Sequence, residues 1–357
     1  MNRRADQLRS LRAATVGLVV AFGIGALLAA LLGYPVFDGF SALVKYSIGS
    51  KAKLANTLAN AVPLVLCGLS AAIAFASGPV NLGQPGQVVM GALFAVCGGL
   101  WFDFPSIIQV PLLLGLSIAG GAFWALLAAF AKRRLGMDEF IVTLMLNEIG
   151  LLLTDWAISS PLRDPSAGSV TTRTISSRGF LPKFGAWQSS ILVMMGVLIV
   201  SWIVVHRLVI GYEWRMAGQA PLFARLGGVE VGRNFTAAMA YTGGLAGLAG
   251  GVLLMAGPHK FGKGIGGNYG WDGVMIAVVA VNALLGVALY GLLFSALQTG
   301  SIGMEILSDI PQEFVQILQA AIVLVTVAAR GVLTSTLAAY AAKRSAKRLQ
   351  SPSSPGS

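Results

Sequence analysis

Residues 139–158 read E-F-I-V-T-L-M-L-N-E-I-G-L-L-L-T-D-W-A-I. Twenty residues at about 1.5 Å each match a hydrocarbon core of about 30 Å. Between the flanking Glu139 and Asp155 the run carries a single ionisable residue, Glu148, about ten residues in. A helix that is apolar on every side belongs in lipid or in the core of a large protein, not on a wet surface. This stretch therefore reads as a transmembrane span with one carboxylate near its centre.

Outward from it, similar runs lie near 13–33, 55–77, 87–102, 107–131, 189–209, 236–256 and 312–330. The stretch 271–303 is too long for one crossing, and Asn282 to Gly286 offers a turn, so it reads as two shorter segments. The expectation is an all-α polytopic membrane protein of about ten transmembrane helices. Composition agrees, with 56% hydrophobic residues, only 11% charged residues and 45 glycines in 357 residues. Soluble domains carry about 25% charged residues. The net charge of +11 does not mark a nucleic-acid binder, because the cations are scattered between apolar runs and form no basic domain.

The cations also orient the chain. With the N-terminus inside, 131–138, 207–235, 330–357 and the N-terminal segment hold sixteen of the 25 Lys and Arg residues. That bias places both termini in the cytoplasm and makes the span number even. Arg3, Arg4, Arg9 and Arg12 ahead of Ala13–Leu32 mimic a signal peptide, but the apolar run is longer than the usual core of one, and it reads as an uncleaved first span. The expected organisation is a cytoplasmic N-terminus (1–12), a membrane domain (13–330) with an outer loop at 159–188 and an inner loop at 210–235, and a basic tail (331–357). Lys343, Arg344, Lys347 and Arg348 of that tail suit anionic lipid. Cys67 and Cys97 lie in apolar runs without a C-x-x-C pair, and His206 and His259 are far apart, so neither a disulfide framework nor a metal site is expected. No phosphate-cradling G-x-x-x-x-G-K-[ST] loop is present and no cofactor is expected.

An internal echo adds a second constraint. Gly83-Gln-Pro-Gly86 and Gly267-Asn-Tyr-Gly270 lie 184 residues apart, and spans near 55, 107 and 139 recur about 180 residues later. An offset of five spans inverts one half relative to the other, as in many transporters, where interrupted segments mark the substrate route.

Several segments carry a family resemblance. Asn81-Leu-Gly-Gln-Pro-Gly-Gln87 resembles the N-[IL]-G-x-E-G-Q signature of permease subunits of ABC importers for simple sugars and nucleosides. R-L-G-M-D-E-F-I-V-T-L-M-L-N (134–147), P-L-R-D-P (161–165), G-Y-E-W-R-M-A-G (211–218) with A-R-L-G-G (224–228), and N-Y-G-W-D-G (268–273) follow in the family's order. Branched-chain amino-acid permeases belong to the wider superfamily, and the P-L-R-D-P loop resembles the nucleoside and simple-sugar branch. This sequence departs from the pattern at Pro85 (usually Glu), at Glu148 (more often aromatic), and at Ala280 and Leu284 (usually Gly and Pro). These departures bear on the cargo.

The resemblance implies a second permease, two ATPase subunits docked on the inner loops, and an extracytoplasmic solute-binding protein. It places ATPase coupling in the 210–235 loop, on Glu213, Arg215, Gly218, Arg225 and Gly228. A short helix lying at the membrane surface is expected there. For the substrate pathway the candidates are Asn81, Gln84, Gln87, Asn147, Glu148 and Asp272. Amides in a broken segment can line a polar path or staple the freed backbone, and both readings stand. An intramembrane carboxylate is a functional candidate by default, with structural pairing as the rival for Glu148. Asp272 also suits ordering of the second Gly-rich turn. Gly243, Gly247 and Gly251 form a small-residue stripe suited to close helix packing. From the residues alone, an ion-coupled secondary transporter using Glu148 and a channel-like facilitator remain rivals to the ATP-driven importer.

Overall fold

The computed structural model describes residue 17, residues 19–266 and residues 268–329. The arginines before the first span, Gly267, Arg330 and the basic tail lie outside the described residues. Two compact units divide the chain, one of residues 43–300 and one of 1–42 with 301–357.

Helices follow one another as α1 (Val19–Leu31), α2 (Val36–Ser47), α3 (Lys51–Ser77), α4 (Gln84–Trp101), α5 (Ser106–Leu135), α6 (Glu139–Ser159), α7 (Ser190–Arg207), α8 (Val209–Gln219), α9 (Pro221–Leu226), α10 (Val231–Ala256), α11 (Tyr269–Val279), α12 (Leu284–Ser308) and α13 (Glu313–Ala329). Among the described residues six are long and apolar enough to cross a membrane: α3, α5, α6, α7, α10 and α12. The chain is a polytopic helical membrane protein. The apolar helices α1, α11 and α13 are shorter. The only strands among the described residues are the two-residue β1 (Lys183–Phe184) and β2 (Trp187–Gln188), a hairpin in the 159–188 loop.

The long apolar stretch does break. Val281 and Asn282 adopt left-handed backbone, φ 52° and 56°, and the Asn282 N–H donates to the Ala277 carbonyl. That is the hydrogen bond of a helix C-terminal cap, and it ends α11 before α12 begins. The break falls at 280–283, at the leading edge of the expected turn. The expected inner loop is mostly helix: α8 and α9 fill it, and α10 begins at Val231.

In the unit of residues 43–300, α3 and α10 form the hub, with 78% and 83% of their apolar windows buried, against 33% for α6 and 22% for α7. The glycine stripe explains how α10 reaches that depth. An added methyl at Gly243 or Gly247 would collide with the backbone of Gly121 in α5, and one at Gly251 with the Ser117 side chain. Helix backbones approach this closely only where side chains are absent. In the other unit, the rings of Phe22 (α1) and Phe40 (α2) meet at 5.9 Å, and Leu318 of α13 fills the space beside Gly25.

The 159–188 loop is laced to the end of α10 and to the segment that follows it. Backbone N–H groups of Thr172, Ile175 and Leu181 donate to Phe261, His259 and Met255, and the Gln188 side chain donates to the Ala256 carbonyl. Asp103, after α4, accepts from Ser176 at 2.7 Å and Arg178 at 2.8 Å.

Candidate functional site

The chain folds back on itself after α3. Gly78 lies against Gly218 of α8, yet three residues later the Asn81 side chain donates to Thr242, about half-way along α10. Residues 78–83 therefore climb back alongside the hub, and α4 starts near the middle of its neighbours, not at their ends. A segment in that position has backbone groups with no helical partner and no bulk water, so side chains must supply the hydrogen bonds.

They do so in a closed set. Asn81 Oδ1 accepts from the Gly83 N–H (2.9 Å) and from Gln87 Nε2 (3.0 Å), and Asn81 Nδ2 donates to Gln87 Oε1 (3.3 Å) and Thr242 Oγ1 (3.4 Å). From α6, Asn147 Oδ1 accepts from the Gly86 N–H and its Nδ2 donates to the Leu82 carbonyl, both at 2.9 Å. Thr143 accepts from the Leu82 N–H, and the Trp124 indole donates to the Leu146 carbonyl at 3.0 Å. Asn81, Gln87 and Asn147 are all buried. Gln84 is buried too, but neither end of its amide has a hydrogen-bond partner among the described residues. Pro85 stands at the first turn of α4, where its missing N–H costs no helical bond.

The second Gly-rich segment arrives at the same place. An added Cβ on Gly270 would fall 2.7 Å from the Cα of Pro85, so the start of α11 sits directly on the start of α4. Asp272, in the first turn of α11, is buried and accepts from Gln298 Nε2 at 2.8 Å. Its observed partner is thus a side chain of α12.

Glu148 is the exception among the candidates. It lies on the exposed side of α6. Met145 and Leu152 on the same stripe are 58% and 69% exposed, and Ile141 and Trp156 are exposed as well. Asp155, one turn beyond Leu152, approaches Lys263 at 3.7 Å. Thr143, Trp124, Thr242 and Gln298 were absent from the sequence candidates. Each is a polar group in an apolar run, which is the signal that could have found them, since a buried hydroxyl, indole or amide needs a partner.

The coupling candidates lie on α8, on α9 and in the turn before α10, and α8 packs on the C-terminal end of α3. Gly218 seats α8 on the carbonyl of Ala76. The Arg215 guanidinium donates to the Val205 carbonyl, tying α8 to the end of α7. Glu213 accepts from Asn234 Nδ2 at 3.0 Å and lines a cleft of about 410 Å³ with Gly228, Glu230 and Arg233. Arg225 is exposed, and Leu222, Phe223 and Leu226 of α9 project beside it, also exposed. Gly228 takes φ 83°, the left-handed turn that separates α9 from α10.

Residues 53–327 match the family described as "Branched-chain amino acid transport system / permease component". A guanosine ABC transporter permease protein of Bacillus subtilis is 31% identical over 87% of this chain and 90% of its own length. A nucleoside ABC transporter permease protein of Lactococcus lactis is 28% identical over 89% and 91%. A glucose ABC transporter permease protein of Haloferax volcanii is 24% identical over 86% and 84%. No solved structure matches the chain.

Proposed function

The chain belongs to this family of transport-system permease components, and from that membership we propose that it is the membrane subunit of an ATP-driven ABC importer for a nucleoside or simple sugar. The observation that carries the reading is the similarity to the guanosine permease along nearly the whole of both chains. ATP hydrolysis lies with separate ATPase subunits. They dock on α8 and α9, through Glu213, Arg215, Gly218, Arg225 and Gly228. The exposed apolar side chains of α9 beside Arg225 support a protein partner there. A solute-binding protein delivers the cargo on the outer side, and a second permease completes the pore in the bacterial inner membrane.

On this reading the chain crosses the membrane ten times, with α1, α4, α11 and α13 completing the six longer helices and both termini in the cytoplasm. Two five-helix halves are inverted, and their interrupted segments meet where Pro85 touches Gly270. Support comes from the position of that contact, part-way along α10 and α6. The buried amides Asn81, Gln87 and Asn147 hold the break open beside the route, and Gln84 and Asp272 border it. Glu148 faces the pore shared with the second permease. Lipid solvates a carboxylate poorly, at about 2.5 kcal/mol or more near the bilayer centre, so an exposed one inside an apolar stripe calls for a wet or protein-covered face.

The test is reconstitution with the ATPase and binding-protein subunits in proteoliposomes. Uptake of labelled guanosine is expected to require ATP and the binding protein. Uptake by this chain alone, without ATP, would overturn the reading in favour of an ion-coupled carrier or a channel.

A further inference from the structure

A small cavity of about 120 Å³ lies where α8 meets the membrane helices, lined by Ile73 and Ala76 of α3, His206 of α7, Trp214 of α8, and Asn282 and Leu284 at the α11–α12 break. Two unpaired polar atoms belong to its walls. Trp214 is 3% exposed and its indole Nε1–H has no acceptor among the described residues. The Oδ1 of Asn282 is buried and has no donor there. An indole N–H can only donate and an amide oxygen can only accept, so the pair is complementary. Buried polar groups rarely stay unpaired, and each such case calls for an explanation.

The backbone beside one of them is strained. Val281 and Asn282 are consecutive left-handed residues, and a β-branched side chain makes φ 52° at Val281 an outlier. Strain of this kind persists only where the surrounding structure enforces it, and it clusters at ligand clamps and switch regions. The break also terminates α11, whose far end carries the Gly270 contact with Pro85. With 11 residues, α11 is a rod of about 16 Å between the α8 cavity and the start of α4.

We propose that Trp214 and Asn282 form a latch: when nucleotide binding brings the ATPases together and they press α8 onto the membrane helices, the cavity closes, Trp214 Nε1–H donates to Asn282 Oδ1, and α11 transmits the shift to the Pro85–Gly270 contact. This rests on the importer reading above. Both side chains are positioning residues, acting on the route through α11.

Two measurements on the complete complex in proteoliposomes test it. With cysteines at both positions (Trp214→Cys, Asn282→Cys) and Cys97→Ser, a short bifunctional methanethiosulfonate, which replaces the reach of the lost indole, is expected to cross-link the pair at least tenfold faster in the vanadate-trapped nucleotide state than without nucleotide. Equal rates, or faster closure without nucleotide, overturn the latch. Because Trp214→Cys removes a large buried ring, the milder Trp214→Phe and Asn282→Gly are read separately as guanosine moved per ATP hydrolysed. Glycine keeps the left-handed backbone and removes only the amide. Each is expected to lower that ratio about fivefold, the double variant no further than either single, and Asn282→Asp, which keeps an acceptor, is expected to restore most of it. Multiplicative losses, or an unchanged ratio with ATPase still bound, overturn the proposal. A complex that fails to trap nucleotide at all overturns the importer reading and the latch with it, an outcome distinct from trapping without closure.

Discussion

Two neighbouring residues of α6 meet opposite fates. Asn147 is 3% exposed and makes two of the hydrogen bonds that satisfy the broken segment, while Glu148 lies on the exposed stripe with Met145 and Leu152. Around Asn147 the first environment is satisfied within the chain, since every amide donor and acceptor of Asn81, Gln87 and Asn147 described above has its partner and only Gln84 beside them does not. The second is incomplete, an apolar surface with a charge in it. The difference teaches how polar groups are read in a membrane chain. Those satisfied internally hold the architecture, and those left on an outward face mark where another surface or a water-filled passage belongs.

If that contrast is right, Asn147→Leu has the largest effect on the fold. It leaves the Gly86 N–H and the Leu82 carbonyl buried without partners, at about 1–3 kcal/mol each. A large drop in the thermal midpoint of the purified protein and a loss of folded yield are expected. A midpoint unchanged from wild type would mean that the amide set is dispensable. Next comes Gly247→Ala, which forces a methyl into the backbone of α5. Overpacking of this kind costs about 1–3 kcal/mol, read in the same melting experiment.

Glu148→Gln sharpens the comparison from the other side. Stability should stay within about 0.5 kcal/mol of wild type, as for substitutions away from packed or paired groups. ATP-dependent guanosine uptake should nevertheless fall about tenfold. Normal uptake would take Glu148 out of the route, and a large loss of stability would make it a structural residue like its neighbour.

The smallest effect belongs to the 159–188 loop. The Ser166 hydroxyl and then the Ser166 backbone N–H hydrogen-bond Asp164, holding its carboxyl below the usual carboxylate range. A lowered value means that this loop turn is favoured above the ordinary carboxylate range, near pH 4, and loses that support as pH falls through the lowered value. Protection of the Ser166 amide, its exchange relative to an unstructured amide at the same pH, is therefore expected to fall only under strongly acidic conditions, and Asp164→Asn should lower it already at neutral pH. Exchange indifferent to both changes would remove the turn's dependence on the carboxylate.

Much of the helical layout was legible in the sequence because each run is uniformly apolar and bounded by polar residues. α6 spans Glu139–Ser159 against an expected 139–158, its start fixed by Asp138, whose carboxylate accepts from the Phe140 and Ile141 N–H groups. The same uniformity hid the faces. A helix apolar all round gives no periodic contrast, so nothing in residues 139–158 says that Asn147 turns inward and Glu148 outward. The amides at 81–87 were legible as a polar break, but Thr242, which pairs with Asn81, and Thr143, which pairs with the Leu82 backbone N–H, come from spans 161 and 61 residues away along the chain. The return of residues 78–83 to mid-helix depth was illegible for the same reason, since depth is set by tertiary packing against α6 and α10.

Whether the exposed face of α6 borders water decides the role of Glu148. Glu148→Cys in a Cys97→Ser background, in the assembled complex within the membrane, puts one thiol on that face, while the native Cys67 stays buried. A membrane-impermeant maleimide is expected to label it, and nucleotide trapping is expected to change the labelling rate. A thiol that stays unreactive in both states, while the complex still transports, would place the face against lipid or dry protein and contradict the account.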